Sequence, residues 1–137
     1  MSKVQVLTVD DNDMNLFVMT KFLEKGRFTF DVAVNGLEAI EKALELKPRV
    51  ILMDINMPIC DGIEAAREIR NRSEHYTPVI VAVTATHMLD DRSESDRGQF
   101  DHFLPKPVRP ESLIELLNDT FQVDDGSAAA QTVHVQR

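Results

Sequence analysis

Apolar positions along this chain come in short blocks separated by polar turns, and the blocks alternate between two periods. Val4–Val9 (VQVLTV) is short and rich in β-branched residues, which predicts a strand. Met14–Glu24 places Leu16, Phe17, Thr20 and Leu23 on one side at helical spacing, with Gly26 as its stop. Phe30–Val34 predicts a second strand closed by Asn35-Gly36, and Leu37–Leu46 an amphipathic helix ended by Lys47-Pro48. Val50–Met53 is apolar at every position, as a strand covered on both faces must be. Ile63–Arg70 reads as a helix capped by Asp61, and Val79–Val83 as another fully buried strand. Phe103-Leu104 closes a fifth strand, and Leu113–Leu117 anchors a last helix. Short strands alternating with helices predict an α/β fold, a doubly wound parallel sheet built from right-handed βαβ units.

Two segments depart from this pattern. Met88–Gly98 (MLDDRSESDRG) falls where the fourth helix belongs, yet Asp and Ser compete with the helical backbone and almost no apolar stripe is present to dock. A short or mobile helix is the expectation there. From Asp124 onward the chain carries Gly, Ser and Ala without a core pattern, which reads as a disordered end or linker.

Composition narrows the function classes. The chain of 137 residues has room for one real core, and 15 Lys+Arg against 23 Asp+Glu give a net charge of −8. That balance argues against nucleic acid, whose phosphates need a basic face. The single cysteine, Cys60, has no internal partner, so a reducing cytoplasm fits, and it reads as a passive loop residue rather than a redox sensor. No stretch approaches the length of a membrane span. His75, His87, His102 and His134 show no metal-ligand spacing.

The chemistry gathers at strand ends. In a doubly wound sheet, ligands collect beyond the carboxyl ends of the strands. Asp10 and Asp11 follow the first predicted strand, Asp54 the third, Thr84 the fourth and Lys106 the fifth. Asp13, by contrast, reads as an N-cap. Carboxylates converging on one rim suit a hard divalent cation. A carboxylate is also a competent nucleophile toward an activated phosphoryl group, with Lys106 and a metal supplying positive charge and Thr84 a donor. Lys106 precedes Pro107, so the bond between them is a candidate cis peptide.

Together "VDDN" at 9–12, "MDINMPICDG" at 53–62, "VTA" at 83–85 and "KP" at 106–107 resemble the receiver domain of two-component response regulators. The resemblance covers residues 3–121, leaving 122–137 as a tail or linker. It implies a CheY-like, flavodoxin-like (βα)5 fold with strand order 2-1-3-4-5. It further implies that Asp54 accepts a phosphoryl group from a histidine kinase or histidine phosphotransfer domain. Asp10, Asp11, Asp54 and the backbone carbonyl of Asn56 would hold Mg²⁺, with Mn²⁺ as a substitute. Thr84 and Lys106 would contact the phosphoryl oxygens, and Phe103 would be the aromatic switch, read out on the face of the fourth helix, fifth strand and fifth helix. The domain would be a signalling phosphoacceptor rather than an enzyme, although one able to promote its own phosphorylation and dephosphorylation. A stand-alone regulator and a receiver that is part of a hybrid histidine kinase both fit these motifs.

The sequence also departs from the family pattern. Gln99 stands where a glycine is common, Phe103 lacks the hydroxyl of the usual tyrosine, and Pro105 removes a backbone donor near a strand end. Residues beside the expected phosphoryl pocket would tune the phosphoryl lifetime by admitting or blocking water, and Asn56 and Thr86 are the candidates. Two competing readings exist. Asp11-Asn12-Asp13 matches the minimal Asp-x-Asp of a haloacid-dehalogenase-like phosphatase, but Met14-Asn15-Leu16 does not resemble that family's small-residue turn. A receiver fold used purely for interaction, without phosphorylation, is the other.

Overall fold

The computed structural model describes residues 4–55, 57, 60–84 and 98–125. The strands are β1 (Val6–Val9), β2 (Phe30–Ala33), β3 (Val50–Asp54), β4 (Val79–Thr84) and β5 (His102–Pro105). The helices among the described residues are α1 (Asp13–Lys25), α2 (Gly36–Leu46), α3 (Gly62–Arg72) and α4 (Pro110–Asp125), which corresponds to the predicted last helix. All strand pairs are parallel, and the sheet order is β2-β1-β3-β4-β5, in agreement with the expected flavodoxin-like topology. The expectation for Met88–Gly98 falls almost wholly outside the described residues.

The continuous apolar runs are explained by burial on both faces. Val6, Val50, Leu52, Val81 and Leu104 pack with Met19 and Leu23 of α1 and Leu113 and Leu117 of α4. Their strand neighbours Leu7, Val9, Ile51, Met53 and Ile80 point the other way, against Ile40 of α2 and Ile69 of α3. The pleat therefore assigns alternate residues of one run to two separate cores.

Two expectations about α1 need correction. Phe17 is 57% exposed, and Met19 takes its place on the buried stripe with Leu16 and Leu23. The helix is apolar around most of its circumference here, so periodicity did not single out the face that meets the sheet. The N-cap is Asn12, not Asp13: the Asn12 side chain accepts from the Asn15 backbone N–H at 2.9 Å, and Asp13 is the first helical residue. Gly26 does close α1, donating to the Phe22 carbonyl, but with φ −82 it uses no left-handed freedom. The left-handed residue is Arg27, at φ 65, and Gly26 is small because a Cβ would lie 2.7 Å from the Phe28 ring.

The turn before β5, where Gln99 replaces the common glycine, is held from α3. Arg70 donates Nε to the Gln99 carbonyl and Nη2 to Asp101 Oδ2, both at 2.9 Å. The same Asp101 oxygen accepts from the Ile80 backbone N–H at 2.9 Å, which aligns β5 on β4. One fork and one carboxylate thus fix where β5 starts, and with it the positions of Phe103 and Lys106.

A buried thiol and a half-buried phenol make the fold sensitive to alkali. Burial raises the Cys60 thiol, with Glu64, Asp61 and Glu68 adding to the shift. Burial likewise raises the Tyr76 hydroxyl, which donates to the Pro48 carbonyl, only partly offset by Arg70. The folded chain holds both protons more tightly than the unfolded chain. Stability from these groups is complete below the ordinary thiol value of 9.0 and declines above it. Thermal melts are expected to fall from that pH upward, and Tyr76→Phe is expected to weaken the decline. A flat profile, or one unaltered in the variant, would contradict this assignment.

Candidate functional site

The strand order reverses direction at β1, with β2 on one side and β3 on the other, and this is the switch point where doubly wound sheets bind ligands. Asp10 follows β1, Asp54 ends β3, Thr84 ends β4 and Lys106 follows β5. The fold therefore brings these four predicted residues to one rim. Asp10, Asp54 and Thr84 are buried, at 7%, 3% and 6% exposure, whereas Asp11 is exposed.

Oxygens of Asp10, Asp11 and Asp54 all lie within 4.8 Å of one another. Lys106 Nζ donates to Asp54 Oδ1 at 2.9 Å and lies 4.0 Å from Asp10 Oδ2. One ammonium facing three carboxylates leaves the pocket with a net negative charge, in a place where two of the acids are nearly dry. Carboxylate oxygens at this spacing form the donor set of a hard divalent cation, so the residues present fit one.

Local backbone bonds hold the acids in place. Asp10 donates its N–H to the Ala33 carbonyl at 3.1 Å, and its Oδ1 accepts from the Asn12 N–H at 2.9 Å. Asn12 in turn caps α1, so the first acid and the helix start are one hydrogen-bonded unit. The Lys106 N–H donates to the Thr84 carbonyl at 3.0 Å, which ties the ammonium-bearing loop to the end of β4, and the Lys106-Pro107 peptide is cis. Asp13, the second acid of the Asp-x-Asp alternative, is exposed on the first turn of α1.

Gly62 has a part in the site that sequence reasoning missed. It starts α3, donates to the Ile55 carbonyl at 3.0 Å, and approaches Asp54 so closely that a Cβ would lie 2.2 Å from the Asp54 carbonyl oxygen. In the sequence it closes the motif at 53–62, beside the cap Asp61 and eight residues beyond Asp54, but the motif alone does not announce the close approach.

Phe103 is 46% exposed, and its ring lies 6.1 Å from that of buried Phe100, tilted by 59°. It pairs in register with Ala82, and Thr84 lies two residues further along β4, on the same face of the sheet. Asn56, Thr86, His87 and His134 lie outside the described residues.

Five parallel strands in this order, with acids at the switch point and a lysine reaching in from the last strand, define a CheY-like receiver fold. The profile of the response regulator receiver domain matches residues 6–118, and the chain belongs to that family. It is a receiver domain of two-component signalling. Among its relatives, histidine protein kinase 1 of Candida albicans is 38% identical over 125 residues, covering 83% of this chain and 5% of the kinase. Response regulator mcs4 of Schizosaccharomyces pombe is 34% identical, covering 77% of this chain and 25% of the regulator. The chain thus spans only a small part of the length of these curated relatives. Among solved structures, the receiver domain of a Pseudomonas aeruginosa sensor histidine kinase, with magnesium coordinated in its active-site cleft, aligns with a TM-score of 0.77 at 28% identity, over 86% of this chain and 97% of that one. A chain from the Saccharomyces cerevisiae co-crystal of histidine phosphotransfer protein Ypd1 and the receiver domain of Ssk1 aligns with a TM-score of 0.74 at 31% identity, over 85% and 88%. Among the described residues, no helix is long and apolar enough to cross a membrane.

Proposed function

We propose that Asp54 is the phosphoacceptor of this domain. The observation that carries this reading is the Lys106–Asp54 contact of 2.9 Å inside a cluster of three acids. Asp54 is the most buried of the acids and has the cation at its side, so it is the carboxylate best shielded from water and best oriented to attack. A carboxylate oxygen forms the new O–P bond while the N–P bond of a phosphohistidine breaks, and the electron pair returns to the imidazole. Transfer of this kind gains mainly from placement and charge neutralisation. Lys106 neutralises the growing charge on the phosphoryl oxygens, and the Thr84 hydroxyl, at the end of the neighbouring strand, donates to one of them.

Asp10, Asp11 and Asp54, with the Asn56 carbonyl, would hold Mg²⁺ or Mn²⁺, which when bound supplies the positive charge that the acids lack. The magnesium in the Pseudomonas receiver supports this. A histidine kinase or phosphotransfer domain is the donor we propose, as Ypd1 is the partner of Ssk1 in the yeast co-crystal. Met14 and Phe17 of α1 and Leu37 of α2 are exposed near this rim and offer such a partner apolar surface. The free thiol Cys60 supports a cytoplasmic setting.

Once Asp54 is phosphorylated, the added charge draws Thr84 toward it. Phe103, on the same sheet face, turns from its exposed position toward the space beside Ala82. The readout is then the surface of β5 and α4.

The test is incubation with a small phosphodonor such as acetyl phosphate, followed by intact-mass and peptide analysis. A gain of one phosphoryl group, dependent on Mg²⁺ and mapped to Asp54, is expected. A gain mapped elsewhere, or none, would contradict the reading. Metal binding alone is expected to raise the melting temperature, since a single site at 100 times its dissociation constant adds about 2.7 kcal/mol. A melting temperature unmoved by millimolar Mg²⁺ would argue against a shared metal site.

A further inference from the structure

Beside the acid pocket, α1 and the loop after β5 leave a cavity of about 450 Å³. Val18 and Phe22 of α1, Val83 of β4 and Val108 beyond Pro107 give it apolar walls. Its polar end adjoins the acid site, because Asp10 of the acid cluster and Lys106, which pairs with Asp54, both line the cavity. A mostly apolar cavity of this size with a few convergent polar groups is the usual form of a small-molecule site. Nothing in phosphoryl transfer to Asp54 requires it.

We propose that this cavity binds a small amphiphilic cation, with one aromatic or alicyclic body against Val18, Phe22 and Val83 and a protonated amine or amidine at Asp10. The charge of the polar end selects the head group. Of the charged groups, Asp10 and Lys106 line the cavity itself. Asp11 and Asp54 stand behind Asp10 with oxygens within 4.8 Å of its own, and Asp54 takes the short contact of Lys106, so the field at this end is net negative and favours a cationic head over an anionic one. The Asp10 side chain supplies the contact. Its Oδ1 is engaged by the Asn12 N–H, while its Oδ2 is in a long ion pair with Lys106 Nζ at 4.0 Å, beyond hydrogen-bond reach, the short contact of that ammonium being to Asp54. The apolar body provides what a bare metal ion cannot use, contact with the cavity-facing sides of Val18, Phe22, Val83 and Val108.

Because the head takes a carboxylate of the metal cluster, this ligand and Mg²⁺ exclude one another. An occupant would hold the domain in its metal-free state and so prevent phosphoryl acceptance. Binding itself does not depend on Asp54 being the phosphoacceptor.

The experiment is an amide NMR titration of the metal-free chain with 2-phenylethylamine, and with 2-phenylethanol as the uncharged counterpart. The amine is expected to shift Val18, Phe22, Val83 and Val108, and to bind more tightly than the alcohol by roughly tenfold, the contribution of one charge-assisted contact. Saturating Mg²⁺ is expected to weaken the amine and leave the alcohol unchanged. Val18→Trp, at the exposed mouth of the cavity, is expected to remove the amine response while Mg²⁺ and beryllofluoride still bind. Shifts confined to the acids and retained in Val18→Trp would mean a mere counterion and overturn the proposal, as would equal binding of the two probes, insensitivity to Mg²⁺, or silence at millimolar amine. A beryllofluoride response in a sample silent to the amine would overturn this inference alone and leave the phosphoacceptor reading standing.

Discussion

Asp54→Asn is expected to abolish covalent phosphoryl uptake while leaving the domain folded. The amide oxygen has nearly the same size and position as the carboxylate oxygen but is no nucleophile, so no acyl phosphate forms. The effect on stability is decided by two opposing changes. Lys106 loses its ionic partner at 2.9 Å, and removing one member of a buried pair is usually destabilising. Lys106, however, is 33% exposed and keeps Asp10 at 4.0 Å, so its charge is not stranded. The substitution also lowers the excess of negative charge shared by Asp10, Asp11 and Asp54. Without metal, the variant is therefore expected to melt at or above the temperature of the parent chain. With saturating Mg²⁺ the order reverses, because the parent has one more anionic ligand. Parallel melts with and without Mg²⁺ check both arms. A variant that still takes up a phosphoryl group, or gains as much from Mg²⁺ as the parent, would contradict the placement of Asp54.

Gly62→Ala is expected to disturb both the fold and the site. The new Cβ would lie 2.2 Å from the Asp54 carbonyl oxygen and 2.9 Å from Ile55 Cα, and both obstacles are backbone. Backbone cannot step aside as a flexible side chain can, so either α3 lifts off β3 or the end of β3 is displaced. Overpacking at such a contact costs on the order of 3 kcal/mol. In a domain of this size that lowers the melting temperature by roughly 10 °C. Because the displaced segment carries Asp54 itself, Mg²⁺ affinity is expected to fall as well, which an ordinary core substitution would not cause. Melts and Mg²⁺ titrations on one preparation separate the two effects. An alanine variant equal to the parent in both would show that α3 does not seat as closely as described.

Much of this architecture was legible because parallel strands leave a strong trace. Val50–Met53 has no polar position, and such a run is stable only between two layers of helices. Strand ends then specified where Asp10, Asp54, Thr84 and Lys106 had to meet. What periodicity could not supply was the choice among equivalents. In α1, Phe17 and Met19 are both apolar, and only docking against the sheet decides that Met19 is buried. At the start of that helix Asp11, Asn12 and Asp13 are all capable caps, and Asn12 takes the role because its backbone is the last extended one, φ −100 and ψ 118, before Asp13 turns helical. Arg70 and Asp101 stand far apart in the chain, and no local pattern announces that they meet. The same is true of the cavity, whose walls come from α1, β4 and the loop after β5.

The central claim is that Asp10, Asp11, Asp54, Thr84 and Lys106 act as one phosphoryl site. Amide NMR of the Mg²⁺-loaded chain before and after beryllofluoride, a stable mimic of the aspartyl phosphate, addresses it most directly. Slow-exchange shifts centred on Asp54, Thr84 and Lys106 and extending along β5 to Phe103, all absent in Asp54→Ala, are expected. Mg²⁺ shifts with no response to beryllofluoride, or a response that survives in Asp54→Ala, would contradict it.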